Sequence, residues 1–404
     1  HGHGHDHGGH DDHDDHDHDH GVPYVDLKSH RWDLRGEQRN PLPGIERLQV
    51  RAGLTNYRHH ELEEGAVMTT FRNKAHDARV ELTHEPLGGL RGMVGVQTTR
   101  RDFSALGEEA YIDPTVTQTH GIYVLEEYRW GPWRFEGGVR HERQSARETT
   151  SGTKRTHAGT SLSLGASWSW TPGYSLGVSL ARSQRLPSAE ELYADGLHMA
   201  TATYERGNRD LSNETFRQID VQLRKTSGRA QWSVGAFYND VSDYISPYTV
   251  DVHDGLQLVD YRQQDARFIG LEAKWRYAID KRWSVELFGD TVRAQFEDKQ
   301  NLPRIPAKRL GFSVHGHWQG IHADAELYRV FSQNRVAQWE TTTEGYTMLN
   351  LGVAYGKTIG QNSYQFYVRA NNLLDKLAFR HSSFIKQAAP LAGRHVLAGV
   401  KVMF

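Results

Sequence analysis

The 404-residue chain contains no cysteine. It therefore has no disulfide and no thiolate metal site, and any metal it binds must be held by imidazole and carboxylate. It also lacks any run of about 18 apolar residues, which excludes a transmembrane helix. Membrane strands stay open, because barrel strands alternate apolar and polar residues and hardly register in a hydropathy scan. A dominant charge is missing too: 48 basic against 50 acidic residues leave a formal net charge of -2, which argues against a nucleic-acid partner. No Met and no signal peptide open the chain at His1, so the expectation is a processed protein or a fragment.

Histidine is what the chain has in excess, 24 in all. Residues 1–20 are built only from His, Asp and Gly, with nine His (His1, His3, His5, His7, His10, His13, His16, His18 and His20) and seven Asp. Taking those seven from the 50 acidic residues leaves 43 against 48 basic, so the remainder carries about +5. In an extended segment, side chains at i and i+2 share a face about 7 Å apart. Two imidazoles then meet one ion after a small bend, with Asp supplying oxygen or orienting the ring. A segment without bulky apolar groups cannot fold alone, so metal would do the ordering. We expect residues 1–21 to form an extracellular metal-binding loop holding several exchangeable ions, and residues 22–404 to form a separate unit.

From Tyr24 onward the period is two. Leu162, Leu164, Ala166, Trp168 and Trp170 alternate with Ser161, Ser163, Gly165, Ser167 and Ser169, and Tyr174, Leu176, Val178 and Leu180 repeat the pattern. One apolar and one small-polar face suits a sheet with lipid outside and water inside. Short turns fall near 40–45, 85–90, 129–133, 170–175, 225–230, 278–283, 317–322 and 356–363. Longer polar connections alternate with them near 61–66, 104–118, 147–156, 186–214, 246–258, 298–304, 333–344 and 379–391. Short turns on one side and long loops on the other are the pattern of an outer-membrane barrel. The predicted fold class is all-β, a transmembrane antiparallel up-and-down β-barrel with about 17 strands. The last strand ends on the short-turn, periplasmic side, which places the His-rich segment outside the cell. Trp130, Trp133, Trp168, Trp170, Tyr174, Trp275, Tyr277 and Trp283 gather at short turns, where amphipathic rings meet the headgroups.

Several stretches resemble the barrel of a TonB-dependent outer-membrane receptor, and most closely the zinc-uptake receptors of that family. They are Ser183–Tyr193, Gly196-Leu197-His198-Met199-Ala200-Thr201, Glu205-Arg206-Gly207-Asn208, Asn371–Lys376, His381–Phe384 and Pro390–Arg394. The resemblance implies 22 strands, of which five would be absent, together with the N-terminal plug domain that contacts TonB. An odd deficit agrees with parity, since 17 alternating strands begin and end in the same direction. The resemblance also implies Glu61 and His198 as barrel-side zinc ligands, completed in the family by a plug Asp-His pair. His59 is a further candidate, and His60 a lesser one.

The function this implies is capture of zinc by the His-rich loop and TonB-gated import across the outer membrane of a Gram-negative bacterium. Zinc is then a transported ligand, and lipid, zinc and the TonB complex are the partners of a monomeric barrel. Because neutral imidazole is the ligand, capture by the loop should weaken below about pH 6. Haem, a metal-siderophore chelate, nickel or copper could be the cargo of the same scaffold, and a surface metal-buffering or adhesive barrel is the rival that transports nothing. There is no Ser-His-Asp spacing, Walker-type Gly-Lys pair or His-Glu-x-x-His helix, so no enzyme is expected.

Overall fold

The computed structural model describes residues 24–107 and 110–404. The nine histidines of residues 1–20 lie outside the described residues. Alternation at period two yields eight successive strands: β1 (Tyr24–Leu42), β2 (Ile45–Glu63), β3 (Ala66–His84), β4 (Leu90–Gly107), β5 (Thr115–Trp130), β6 (Trp133–Glu148), β7 (Lys154–Thr171) and β8 (Tyr174–Arg185). A long connection then carries helix α1 (Ala189–Tyr193) and the short strands β9 (Asp195–His198) and β10 (Thr203–Arg206). The wall resumes with β11 (Glu214–Lys225), β12 (Ala230–His253), β13 (Leu256–Ala278), β14 (Trp283–Phe296) and β15 (Arg309–Trp318). It ends with β16 (Ile321–Val330), β17 (Tyr346–Ile359), β18 (Asn362–Asn371) and β19 (His395–Met403).

Of the 19 strands in the sheet, β9 and β10 have four residues each, which leaves 17 long ones. These pair antiparallel in chain order, with β8 joining β11 directly. Among the described residues β1 pairs only with β2 and β19 only with β18, and the odd count makes these two outer strands run the same way. The apolar face is solvent-open: Leu164 is 66% exposed, Ile269 55% and Val400 61%. An apolar band that large on a monomer needs a lipid partner. Trp133 lies opposite Trp168 with ring centroids 5.3 Å apart, and Trp275 stacks on Tyr277, so the aromatic girdle sits beside the short turns as expected.

Two connections differ from expectation. The polar stretches 61–66 and 246–258 are not long loops. Strands β2 and β3 run on to the turn Glu64-Gly65 (φ 51° and 79°), and β12 and β13 to Asp254-Gly255 (φ 49° and 79°). Two successive residues in the left-handed region give a two-residue turn whose twist matches the flanking strands. Polar strands therefore stay paired well beyond the bilayer, which needs only about 9–11 residues per strand.

The packed core is not at mid-barrel but at the long-loop mouth. Phe71, Ala105, Tyr111, Ile112, Leu192, Leu211 and Ile245 cluster there as buried residues, because the 186–214 connection folds inward instead of projecting. Ser188 caps α1 and receives its capping-box partner from Glu191. Arg185 then binds both Glu191 (2.8 Å) and the buried Glu214 (2.7 Å). This fork-shaped clamp ties the start of the connection to its end and gives Glu191 a structural role.

Candidate metal centre at the loop mouth

His59 and Glu61 stand two residues apart near the end of β2, so both project from one face of the strand. His59 Nε2 is 3.8 Å from Glu61 Oε1, and its Nδ1 is 2.8 Å from the Tyr57 hydroxyl. His60 necessarily points to the other face, where its Nδ1 meets Thr70 Oγ1 at 2.9 Å.

His198 ends β9. The β9–β10 hairpin sets it opposite Thr203 and puts Glu205 one pleat away on the same face. A carboxylate can only accept, so His198 Nδ1–H donates to Glu205 Oε2 at 3.0 Å. The other Glu205 oxygen accepts from the Tyr261 hydroxyl at 2.8 Å, held in place because β10 runs parallel beside β13. In His198 Nδ1 is engaged and Nε2 is left to face a ligand, whereas His59 meets Tyr57 through Nδ1 and turns Nε2 toward Glu61. Carboxylate-oriented imidazole is the arrangement that fixes a metal-binding tautomer.

A line of rings joins the two halves. His59 stacks on Phe71 (centroids 4.4 Å), Phe71 packs against Tyr111 (6.0 Å), and Tyr111 stacks on His198 (4.2 Å). Burial, and then the carboxylates of Glu190, Glu205 and Glu61, push the Tyr111 phenol well above its ordinary value. Negative charge thus converges on a mouth in which Glu61 is 8% and Glu205 9% exposed. Among the described residues, no three His, Asp or Glu side chains are gathered closely enough to close around an ion. The mouth carries two His/Glu pairs, His59/Glu61 and His198/Glu205, facing across aromatic rings.

Glu205 and Tyr57 were not singled out from sequence as site residues, although Glu205 lies in a stretch quoted for the family. Only the β9–β10 register shows Glu205 beside His198. Two histidines on the wall strands are engaged. His157 is buried and donates from Nε2 to the Leu211 carbonyl (2.8 Å), and His84 pairs with Glu126 (2.9 Å). These two hold the structure together instead of facing water.

Residues 2–373 match the family model described as TonB dependent receptor-like, beta-barrel. Among solved structures the chain is similar to the copper transporter OprC (TM-score 0.81, 17% identity, covering 93% of this chain and 65% of that chain). It is also similar to the FrpB iron transporter from Neisseria meningitidis, F3-3 variant (0.75, 14%, 94% and 64%). A third is the ferric citrate transporter FecA in its unliganded form (0.67, 15%, 94% and 62%). At these identities the likeness is one of fold, and the chain spans less than two thirds of each of these structures. The family match over most of its length, together with the strand wall, the lipid-facing band and the aromatic girdle, shows that the chain belongs to the TonB-dependent receptor β-barrel family of the Gram-negative outer membrane.

Proposed function

We propose that this chain is the barrel part of a receptor that takes up zinc through TonB-dependent gating. The observation that carries the reading is the pair of histidines at the mouth, each beside a carboxylate: His59 turns Nε2 toward Glu61, and His198 engages Glu205 through Nδ1. Zinc takes imidazole nitrogen and carboxylate oxygen in tetrahedral sets. His59, Glu61 and His198 would have to close in on the ion to supply three such ligands, with Glu205 orienting His198. The His/Asp segment of residues 1–20 would concentrate the ion at the surface, the mouth would take one ion, and a plug driven by TonB would release it inward. The named structural relatives are described as handling copper and iron, so the choice of zinc rests on this chain's own ligand set and on its resemblance to zinc receptors.

Equilibrium dialysis of zinc against the detergent-folded chain at neutral pH tests this. Several bound ions are expected, most of them lost on deleting residues 1–20, and Glu61→Ala or His198→Ala should remove one more. A stoichiometry unmoved by these changes would refute it.

One observation favours a second cargo, an anionic metal chelate. A cavity of about 330 Å³ among the long loops is lined by Arg304, Lys386, Glu340 and Phe384. Arg304 lies over the Phe384 ring and donates to the Pro247 carbonyl, and Lys386 donates to Thr341 and Thr343. Neither cation forms an ion pair among the described residues. Competition between zinc and ferric citrate for the folded chain separates the two cargoes.

A further inference from the structure

The wall carries a second constellation of metal-ligating side chains, at the opposite end of the lumen from the mouth. Strands β15 and β16 are joined by Gln319-Gly320, both in the left-handed region (φ 45° and 81°). A two-residue turn of this kind fixes the hairpin register. It sets His317 directly opposite His322, and His315 directly opposite Asp324. Directly opposite residues share a face, so three imidazoles and a carboxylate stand on one side of a single hairpin, within a few residues of the short-turn rim.

That face is the lumen. Leu310, Phe312 and Val314 alternate with His315 and His317 along β15, and Leu310 and Phe312 belong to the exposed apolar band. On the same side as the histidines, the neighbouring strands present Ser284 and Glu286 from β14 and Gly352 and Ala354 from β17. Glu286 is paired with Lys274 (3.4 Å) and Asp324 with Arg369 (3.6 Å). This wall is charged and hydrated, opposite in character to the lipid face.

The His317 and His322 rings are 5.9 Å apart, centroid to centroid, inclined at 62°. Two imidazoles on one tetrahedral zinc stand about 5 Å apart by the same measure, so side-chain rotation alone brings them to one ion. Neither ring nitrogen hydrogen-bonds to another group among the described residues. Both are thus available, whereas His315 is 3.2 Å from Ser313 Oγ. We infer that His317 and His322 form a divalent-cation site of borderline-soft preference at the periplasmic rim of the lumen, with water filling the remaining positions. Its two-imidazole, solvent-open form suits brief residence, a way station for an ion leaving the barrel. The way-station role rests on the import reading above; the binding itself does not.

Histidine carbethoxylation by diethylpyrocarbonate, mapped by peptide mass spectrometry on the intact detergent-folded chain, resolves each ring separately. Added zinc chloride should slow modification of His317 and His322 about five-fold and leave His120 and His141 unchanged. In His322→Ala, zinc should no longer protect His317, and in His317→Gln it should no longer protect His322. The two variants report independently, so a folding defect in one leaves the other decisive. Equal rates at His317 with and without zinc, or protection that persists after its partner is removed, would overturn the inference. Protection of His198 in the same maps reports on the mouth, so failure there with protection retained at His317 counts against the capture site alone.

Discussion

At the scale of single residues, the mouth is decided by which nitrogen of each histidine is already engaged. His198 Nδ1–H donates to Glu205 and so presents Nε2. Glu205→Gln keeps the volume but replaces the charged acceptor with a neutral amide. Removing such an orienting carboxylate costs about 10–100-fold in metal affinity. Zinc titration of the chain lacking residues 1–20 should show a loss of that size for Glu205→Gln, with a far smaller change for His60→Ala, whose ring lies on the other face of β2. Equal losses from both would mean that face and orientation do not govern the site. Glu61, His59 and His198 could be named from sequence through the resemblance to zinc receptors. Glu205 could not be assigned its role, because the contact depends on the β9–β10 register.

At the scale of elements, the 186–214 connection is the part of the barrel that folds like a soluble core. Its clamp depends on Glu214, 1% exposed, which accepts from Arg185 and from the Ile245 amide (2.6 Å). Glu214→Ala leaves the Ile245 amide without its acceptor and Arg185 with Glu191 alone, a loss of about 2–3 kcal/mol. It should lower the urea midpoint for release of this connection, read by limited proteolysis between Ser188 and Leu211, while the wall strands stay folded. An unchanged midpoint would mean that the apolar cluster alone holds the connection. Elements were well marked in the sequence wherever alternation ran uninterrupted. The exceptions were Glu64-Gly65 and Asp254-Gly255, where polar composition suggested loops. Asp-Gly is itself a two-residue hairpin signal, so the second of these was available in the sequence and was outweighed by the polarity around it.

At the scale of the whole molecule, three long connections meet above the lumen. Glu340, between β16 and β17, accepts from the amides of Arg304 and Ala337 and pairs with His381 at 3.3 Å. Arg304 comes from the β14–β15 connection and His381 from the β18–β19 connection, so one carboxylate holds three loops. Burial by itself would raise the Glu340 carboxyl, but the His381 ring and the two amides outweigh it and hold it below its ordinary 4.5. A depressed carboxyl stabilises the folded arrangement above its unfolded value and loses that contribution as the pH falls through its folded one. Hydrogen-exchange protection factors at Arg304 and Ala337 should therefore be flat above pH 4.5 and drop below it, and Glu340→Gln should remove the pH dependence. Protection that stays constant to low pH would show that the loops are held by other contacts.

Composition and period settled the class of this protein without any long-range information. Alternation is a property of neighbouring residues, a strand's two faces follow from the pleat, and the absence of cysteine fixes the available ligand chemistry. The spacing of breakers placed the wall turns for the same reason, since a tight turn is specified by the residues within it. What the sequence left open was which side chains meet across separate elements. His59 with Tyr57 and Glu61 is local to one strand, but the ring line from His59 through Phe71 and Tyr111 to His198 draws on β2, β3, the β4–β5 connection and β9. The loop clasp around Glu340 likewise joins three connections. Such contacts depend on strand order, register and the inward fold of a long connection, which are set by burial and hydrogen bonding summed over the whole barrel, so only the tertiary structure decides them.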